Sequence, residues 1–434
     1  MAKMVMIADD LTGAADCAAA CAAHGVSATV VLHAPRHSAP CWPDTDILSI
    51  DADTRCLSSA QAAAATSDLL RICQTRGAFD APCLLFKKLD STLRGNMATE
   101  LAAILRMRRS LVSGNEKIAM IMAPALPAQG RTTIGGRQFV HGRPLHETDL
   151  WKDETHAPQS KISALLAEAG LSCCVIEIAT VRRSLSALQN AMAKLVREAD
   201  VVLCDAETDD DLRAIAEASI LLGEGTVWAG SAGLASHLPH AAGFVGTSSA
   251  APVNFAVGPS LFVVGSGASV TREQASVLAA IPNVFTVRVA PAMLLNSQAA
   301  ALPILKGLQS NRDVLVLLDG SERCTANETR ILTQALSKLI APCAPLLGGL
   351  VATGGETARA ILDDLGIQSL RLLGEVEPGL PFSIADKWPQ FPVLTKAGAF
   401  GTPQALVRCR EFLQKLERTS ARSEAKRPTV SRES

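Results

Sequence analysis

Tyrosine is absent from the 434-residue chain, and aromatic residues make up only 3% of it. So little aromatic surface supplies few platforms for stacking bases or sugar rings. An excess of one charge is missing too: 41 Lys and Arg face 42 Asp and Glu, a formal net charge of -1. Nucleic-acid binding draws on a dense cationic surface that displaces counterions, and this chain has none to offer. No apolar run approaches the roughly 18 residues needed to span a bilayer. The opening Met1–Ala8 run meets Asp9 and Asp10 too soon for a secretory signal, so a cytoplasmic protein with neither nucleic-acid nor membrane partners is expected. The 12 cysteines include no CxxC pair and no Cys/His cluster at zinc spacing, so they read as small core residues in a reducing compartment. His141, His146 and His156 fit no metal spacing, and no metal ligand is assigned. No Gly-Lys pair, GxGxxG or DFG occurs, which excludes a P-loop, a dinucleotide fingerprint and the protein-kinase set.

What is present is apolar and periodic. Hydrophobic residues make up 48% of the chain, ample for sizeable cores, and the length suits two domains. Short β-rich runs alternate with Ala/Leu-rich helical stretches, the pattern of α/β domains with mostly parallel sheets. In the first half the pattern predicts strands at Met4–Ala8, Ala28–Leu32, Cys83–Phe86, Ile118–Met122, Cys174–Ile178, Val201–Cys204 and Thr226–Ala229. Helices are expected at Ala14–His24, Ser59–Arg76 and Leu212–Leu222. The small, weakly charged residues of 240–260 read as a linker between a domain at 1–239 and another at 261–416. In the second domain strands are expected at Leu261–Val264, Val284–Val287, Val314–Leu318, Leu347–Ala352 and Leu370–Leu373. Residues 417–434 read as a frayed polar tail. Two α/β lobes tend to bind ligands beyond the carboxyl ends of their strands, and an interlobe cleft is the default site.

Three apolar strands of the first half end in charge. Ile7-Ala8 runs into Asp9-Asp10-Leu11-Thr12-Gly13. One carboxylate there could cap a helix, but a pair suits a polyol or a general base. Ile47–Ile50 leads to Asp51-Ala52-Asp53-Thr54-Arg55, whose guanidinium suits a carboxylate or phosphate, or a surface salt bridge. Leu84–Phe86 leads to Lys87-Lys88-Leu89-Asp90-Ser91-Thr92-Leu93-Arg94-Gly95-Asn96, a dense anion-binding and acid/base set. Beyond them Pro124–Thr132 and Gly135-Gly136-Arg137 read as an irregular Pro/Gly loop from which Arg131 could reach the same cleft. Gly230-Ser231-Ala232-Gly233 imitates a nucleophile elbow, but no His follows His240, so a tight turn is the better reading. In the second half three strands each lead into glycines and hydroxyls: Gly265-Ser266-Gly267, Thr353-Gly354-Gly355-Glu356-Thr357, and Lys396-Ala397-Gly398-Ala399-Phe400-Gly401-Thr402. Backbone N–H groups at such helix starts favour phosphate.

This set of motifs, in this order, resembles the four-carbon acid sugar kinase family, also called DUF1537, over nearly the whole chain. The most specific parts are Ile7–Gly13, Asp90-Ser91-Thr92 with Gly95-Asn96, and Gly354–Thr357. The resemblance implies an N-terminal lobe for a four-carbon sugar acid, a C-terminal lobe for ATP, and transfer of phosphate to the terminal C4 hydroxyl with Mg²⁺. It implies that Asp10, Arg55, Lys87, Lys88, Leu89 and Asp90 contact the acid, with Asp90 or Asp10 orienting or deprotonating the hydroxyl. It further implies that Ser266, Gly354, Gly355, Glu356, Thr357, Gly398 and Gly401 line the ATP site. Asp53-Thr54-Arg55 and Lys88–Asn96 are more similar to the D-threonate branch than to the 3-oxo-tetronate branch. A homodimer is compatible with this reading. A non-catalytic sugar-acid sensor and an NAD-dependent hydroxy-acid dehydrogenase are the readings from other classes.

Overall fold

The computed structural model describes residues 2–32, 42–79, 82–111, 118–148, 151, 161–223, 225–244, 246, 255–265, 267–296, 299–319, 326–386, 390–398 and 400–424. The chain divides into two compact units, Met1–Ser248 and Ser249–Ser434. The division falls inside the stretch expected to be a linker.

The first unit contains β1 (Met4–Ala8), β2 (Ala28–Val31), β3 (Ile47–Asp51), β4 (Leu84–Lys88), β5 (Met120–Ala123), β6 (Arg131–Ile134), β7 (Arg137–Val140), β8 (Arg143–Pro144), β9 (Cys173–Ile176), β10 (Val201–Cys204) and β11 (Val227–Gly230). Eight of them form a parallel array in the order β2-β3-β1-β4-β11-β5-β10-β9. Covered on both faces, such strands read as continuous apolar runs, and all five residues of β1 are buried. β1 lies between β3 and β4; the chain leaves β1 for β2 on one side and later crosses from β3 to β4 on the other. This is the topological switch point, where a crevice opens beyond the carboxyl ends. Each of the three charged strand ends, after β1, β3 and β4, faces that crevice edge.

The helix Leu11–Ala22 follows β1 immediately, with Asp10 as its N-cap. The helix Ser59–Thr75 begins with a reciprocal capping box between Ser58 and Gln61. Ser231 caps the helix Ala232–Ala241, accepting from the Gly233 N–H and donating to the Ala125 carbonyl, so this serine is the tight turn expected of it.

The irregular loop expected around 124–137 is instead a three-stranded antiparallel sheet, β6-β7-β8. Its hairpin turns at Gly135-Gly136, both at positive φ (58° and 68°), the geometry of a tight two-residue turn. Thr, Arg and Gln in four-residue strands left little apolar alternation to read. Asp205, just after β10, accepts from the N–H groups of Gly135 and Gly136 at 2.7 and 2.9 Å. Gln138 donates to the Ser91 carbonyl at 2.8 Å, which ties this small sheet to the loop after β4.

The second unit contains β12 (Ser260–Val264), β13 (Val284–Val289), β14 (Asp313–Leu318), β15 (Gly349–Thr353), β16 (Ser369–Glu375), β17 (Pro381–Ala385) and β18 (Pro392–Lys396). Their order is β13-β14-β12-β15-β18-β17-β16, parallel except that β17 runs antiparallel to both neighbours. Phe262, Val264, Val351, Leu394 and Leu406 belong to its core. The helix Ala405–Glu424 runs into the segment expected to be frayed, because Leu406, Cys409 and Leu413 give it a buried stripe. No helix among the described residues is long and apolar enough to cross a membrane.

The ten described cysteines are unbridged. Burial raises the thiols of Cys73 and Cys409 to about 12 and those of Cys83, Cys173 and Cys343 to about 11, against an ordinary 9.0. In the unfolded chain these thiols lose protons first, so the stability they carry is intact below about pH 9 and is lost as pH rises through 11 to 12. Urea denaturation under reducing conditions is expected to show the midpoint falling steadily above about pH 9. A flat midpoint would mean that the thiols are not held in their neutral form by the fold.

A buried carboxylate and cation cluster as the candidate active site

Arg55 is the hub of the first unit's crevice. Its Nε and Nη2 donate to the two carboxylate oxygens of Asp9 at 2.7 and 3.0 Å. Its Nη1 and Nη2 donate to those of Asp10 at 2.7 and 3.0 Å. Nη2 also lies 3.4 Å from Asp90 Oδ2. The backbone repeats the tie, since the Asp9 carbonyl accepts from the N–H groups of Thr54 and Arg55.

Asp10 has two duties. Its Oδ1 accepts from the Gly13 N–H at 2.9 Å and its Oδ2 from the Thr12 hydroxyl at 2.6 Å, so it caps a helix and holds Arg55 at once. Gly13 has to be glycine for this: a Cβ there would lie 2.7 Å from Asp10 Oδ1 and 3.0 Å from Lys88 Nζ. The Asp-Leu-Thr-Gly run thus makes room for two charged groups where a helix begins.

The loop after β4 carries Asp90. Its Oδ1 accepts from the Thr92 N–H at 2.7 Å and hydroxyl at 2.5 Å, and its Oδ2 from Arg94 Nη2 at 2.6 Å. Leu93 in this loop and Asp53 beside Thr54 have positive φ (56° and 51°), a strained geometry for side-chain-bearing residues that gathers at such sites. Asn96 fastens the two loops together, donating to the carbonyls of Thr54 and Leu57 at 3.1 and 2.9 Å.

Lys87 and Lys88 point to opposite sides of β4, as alternation requires. Lys87 is wholly buried and meets Glu100 of the helix Met97–Leu111 at 3.2 Å. Thr54 donates its hydroxyl to the same carboxylate. Lys87, expected to touch a ligand, is therefore inside the fold. Leu89 packs in the core and gives its N–H to the Gly230 carbonyl at 2.7 Å. Lys88 lies on the Gly13 side, in the field of Asp9, Asp90 and Asp10. Arg131, at the start of β6, is buried in the field of Asp90, Arg94 and Asp16.

Charge states follow from these contacts. Burial pushes Asp90 up, but Arg94 and Arg55 outweigh it and hold the carboxyl well below the ordinary range. Asp9 is lowered in the same way, burial being outweighed by Arg55 and the two lysines. Burial raises Asp16 and Glu100, the latter against the pull of Lys87. Lys88 is raised despite burial by Cys17 and the surrounding carboxylates. Asp9 and Asp90 thus stay ionised at neutral pH beside Arg55, Arg94, Lys88 and Arg131. Such a set can accept hydroxyl hydrogen bonds and neutralise an acid's carboxylate together.

In the second unit three sequence-marked strand ends follow β12, β15 and β18. Ser266 lies outside the described residues. Gly354, at φ 91°, is the N-cap of the helix Gly355–Asp364, and its N–H donates to the Lys396 carbonyl at 2.8 Å. Thr357 is buried against Gly265, where a Cβ would lie 2.2 Å from its hydroxyl. Glu356 is exposed, and Gly398 and Gly401 lie in the turn after β18. Among the described residues no three His, Cys, Asp or Glu side chains come together as a metal cage.

A crevice suited to a polyhydroxylated anion in one α/β unit, with glycine and hydroxyl strand ends in another, defines a two-domain small-molecule kinase. The comparisons agree with that class. Residues 4–238 match the family model described as a sugar-binding N-terminal domain, and residues 261–406 match one described as a nucleotide-binding C-terminal domain. The chain belongs to the four-carbon acid sugar kinase family. A D-threonate kinase of Cupriavidus necator is 38% identical over 415 residues, covering 93% of this chain and 96% of that protein. A D-threonate kinase of Salmonella typhimurium is 30% identical over 443 residues, covering 95% and 99%. A crystal structure of another Salmonella typhimurium protein matches with a TM-score of 0.79 at 23% identity, covering 95% of this chain and all of that one, which is a likeness of fold.

Sequence reasoning named Asp10, Arg55, Lys88 and Asp90, all of which the fold brings together. Its strand-end motifs also included Asp9, Arg94 and Asn96, without giving them roles of their own. Glu100, in the first turn of the helix Met97–Leu111, gave no sign of its partner Lys87.

Replacing Arg55 leaves Asp9, Asp10 and Asp90 facing one another in a buried site. Arg55→Met is expected to cost about 3–5 kcal/mol of folding stability, the scale of a broken buried ion pair, as read by urea denaturation. A loss below about 1 kcal/mol, the worth of an exposed pair, would mean that the three carboxylates do not depend on this guanidinium.

Proposed function

We propose that this protein transfers the γ-phosphate of ATP to the C4 hydroxyl of a four-carbon sugar acid, D-threonate ahead of its isomers, giving D-threonate 4-phosphate. The observation that carries the reading is the Arg55-centred cluster, where ionised carboxylates stand beside Lys88, Arg94 and Arg131 at one strand-end crevice. The preference for D-threonate is supported by the names of the relatives at 38% and 30% identity.

In this reading Asp10 and Asp90 accept hydrogen bonds from the acid's hydroxyls, and Lys88 faces its charged end. Asp90, held well below the ordinary carboxylate range, is a weak proton acceptor and a good orienting group. That suffices for phosphoryl transfer, whose loose transition state needs positioning and charge neutralisation more than a strong base. Arg55 acts through the carboxylates that it fixes, while Lys87 and Leu89 form the wall behind them. Ser266, Gly354, Gly355, Glu356, Thr357, Gly398 and Gly401 line the nucleotide site, where backbone N–H groups suit phosphate. Mg²⁺ enters bound to ATP as part of the substrate, holding phosphate and water ligands with at most one or two carboxylates. A docked acid and nucleotide exclude water, which limits wasteful hydrolysis.

The test is ADP release from Mg-ATP with D-threonate, L-threonate, D-erythronate, L-erythronate and 3-oxo-tetronate. D-threonate is expected to give the highest kcat/KM, and turnover no faster with any acid than without one would overturn the reading. Asp10→Asn is expected to lower kcat/KM for the acid by about 10²–10³-fold, the scale for losing a positioned polar group, with the KM for ATP nearly unchanged. Loss of nucleotide affinity with normal affinity for the acid would reverse the assignment of the two units.

A further inference from the structure

The turn after β18 is held from inside by its own carbonyls. Lys396, the last residue of β18, has no exposed surface. Its ammonium donates to the carbonyls of Ala397 at 2.8 Å, Gly398 at 3.4 Å and Phe400 at 2.7 Å. The helix Ser269–Ala279 adds two further donors. Thr271 gives its hydroxyl to the Gly398 carbonyl, and Gln274 gives Nε2 to the carbonyls of Phe400 and Thr402 at 3.0 and 2.9 Å.

Four carbonyls of one short turn are therefore directed at buried side chains. Across a planar trans peptide the N–H of the next residue points the other way. The N–H groups of Gly398 and Gly401 are consequently turned away from the ammonium. An outward glycine amide is a hydrogen-bond donor for an anion, whereas the Phe400 N–H between these two turns back to the Ala397 carbonyl at 3.1 Å.

We propose that Lys396 is a positioning residue for the nucleotide: it keeps the carbonyls of Ala397, Gly398 and Phe400 inward and so presents the Gly398 and Gly401 amides to the phosphates of ATP. The proposal rests on the nucleotide reading of the second unit given above. Lys396 touches no phosphate itself, and its influence passes through the backbone.

The geometry also makes the brace sensitive to pH. Burial lowers Lys396 to about 8, against the pull of the Glu377 carboxylate. Glu377 is paired with Arg408 of the helix Ala405–Glu424 at 2.5 Å, and burial keeps the Cys409 thiol protonated to about 12. The Cys409 thiol therefore stays uncharged near pH 8, where Lys396 changes its charge. Above that pH the amine keeps two hydrogens in place of three and loses its charge, and the carbonyls it gathers are held more weakly. The Lys396 contribution to folding stability moves the other way. A lysine lowered in the folded state is least costly once neutral, so its contribution to stability rises from pH 8 towards 10.5. Unfolding of this residue's surroundings cannot imitate a loss of nucleotide affinity.

The experiment measures ADP affinity by calorimetry, and KM values for ATP and the acid, at about pH 7 and about pH 9 for the wild type and for Lys396→Met. The wild type is expected to bind ADP several-fold more weakly at the higher pH. Lys396→Met is expected to raise the ATP KM about tenfold, the worth of one charge-assisted hydrogen bond, to leave the acid KM within about twofold, and to abolish the pH dependence. Wild-type ADP affinity that does not change with pH would overturn the proposal even where Lys396→Met failed to fold. So would a folded Lys396→Met with the wild-type ATP KM. A wild type that binds neither ADP nor ATP would instead overturn the nucleotide reading on which the proposal rests.

Discussion

One guanidinium organises the first unit. Carboxylates placed side by side at the buried end of a strand are untenable without a cation, because burial and mutual repulsion both oppose their charge. Arg55 satisfies Asp9 and Asp10 through four hydrogen bonds of 2.7–3.0 Å and reaches towards Asp90. In doing so it joins the end of β1, the loop after β3 and the loop after β4. The helix that follows β1 depends on the same contact, because its cap is one of the two carboxylates. The acid-binding geometry is thus in place before any ligand arrives, which is the condition for electrostatic preorganisation.

The two units answer different chemical demands with sheets that share the order of their first four strands, β2-β3-β1-β4 and β13-β14-β12-β15. Each opens its crevice where strand connections diverge. The first dresses that point with side chains, since a sugar acid presents hydroxyls and a carboxylate that need acceptors and cations together. The second dresses it with backbone, through Gly354 at φ 91° and the turn after Lys396. Charge in the first unit is used directly. The buried charge of the second serves to shape a loop.

Much of this was legible in the sequence because an apolar run that ends in charge is a rare and specific pattern. β1 and β4 were legible for that reason, although β4 runs on through Lys87 and Lys88, which the sequence placed beyond the strand's end; the parallel order was legible from the alternation of strands and helices. The small β6–β8 sheet did not, since Arg131-Thr-Thr-Ile134 and Arg137-Gln-Phe-Val140 are too short and polar to show alternation. β17 was missed as well: it begins with proline, a residue that reads as a loop but is tolerated at the first position of a strand. Partners far apart in the chain were invisible in principle. Nothing in the spacing joins Lys87 to Glu100, or Lys396 to Thr271 and Gln274, because only the folded layers bring those groups together.

The adjacent lysines of β4 carry a constraint on how this strand can change. One is locked to Glu100 on the helix side and the other stands among carboxylates on the crevice side. A slip of one residue would exchange their surroundings, placing the crevice-side ammonium against Glu100 and the helix-side one in the crevice. The strand is therefore indexed from both faces by charge as well as by its apolar pattern. An insertion or deletion within Leu84–Lys88 would displace both lysines at once, so a change in length is accommodated in the loops on either side.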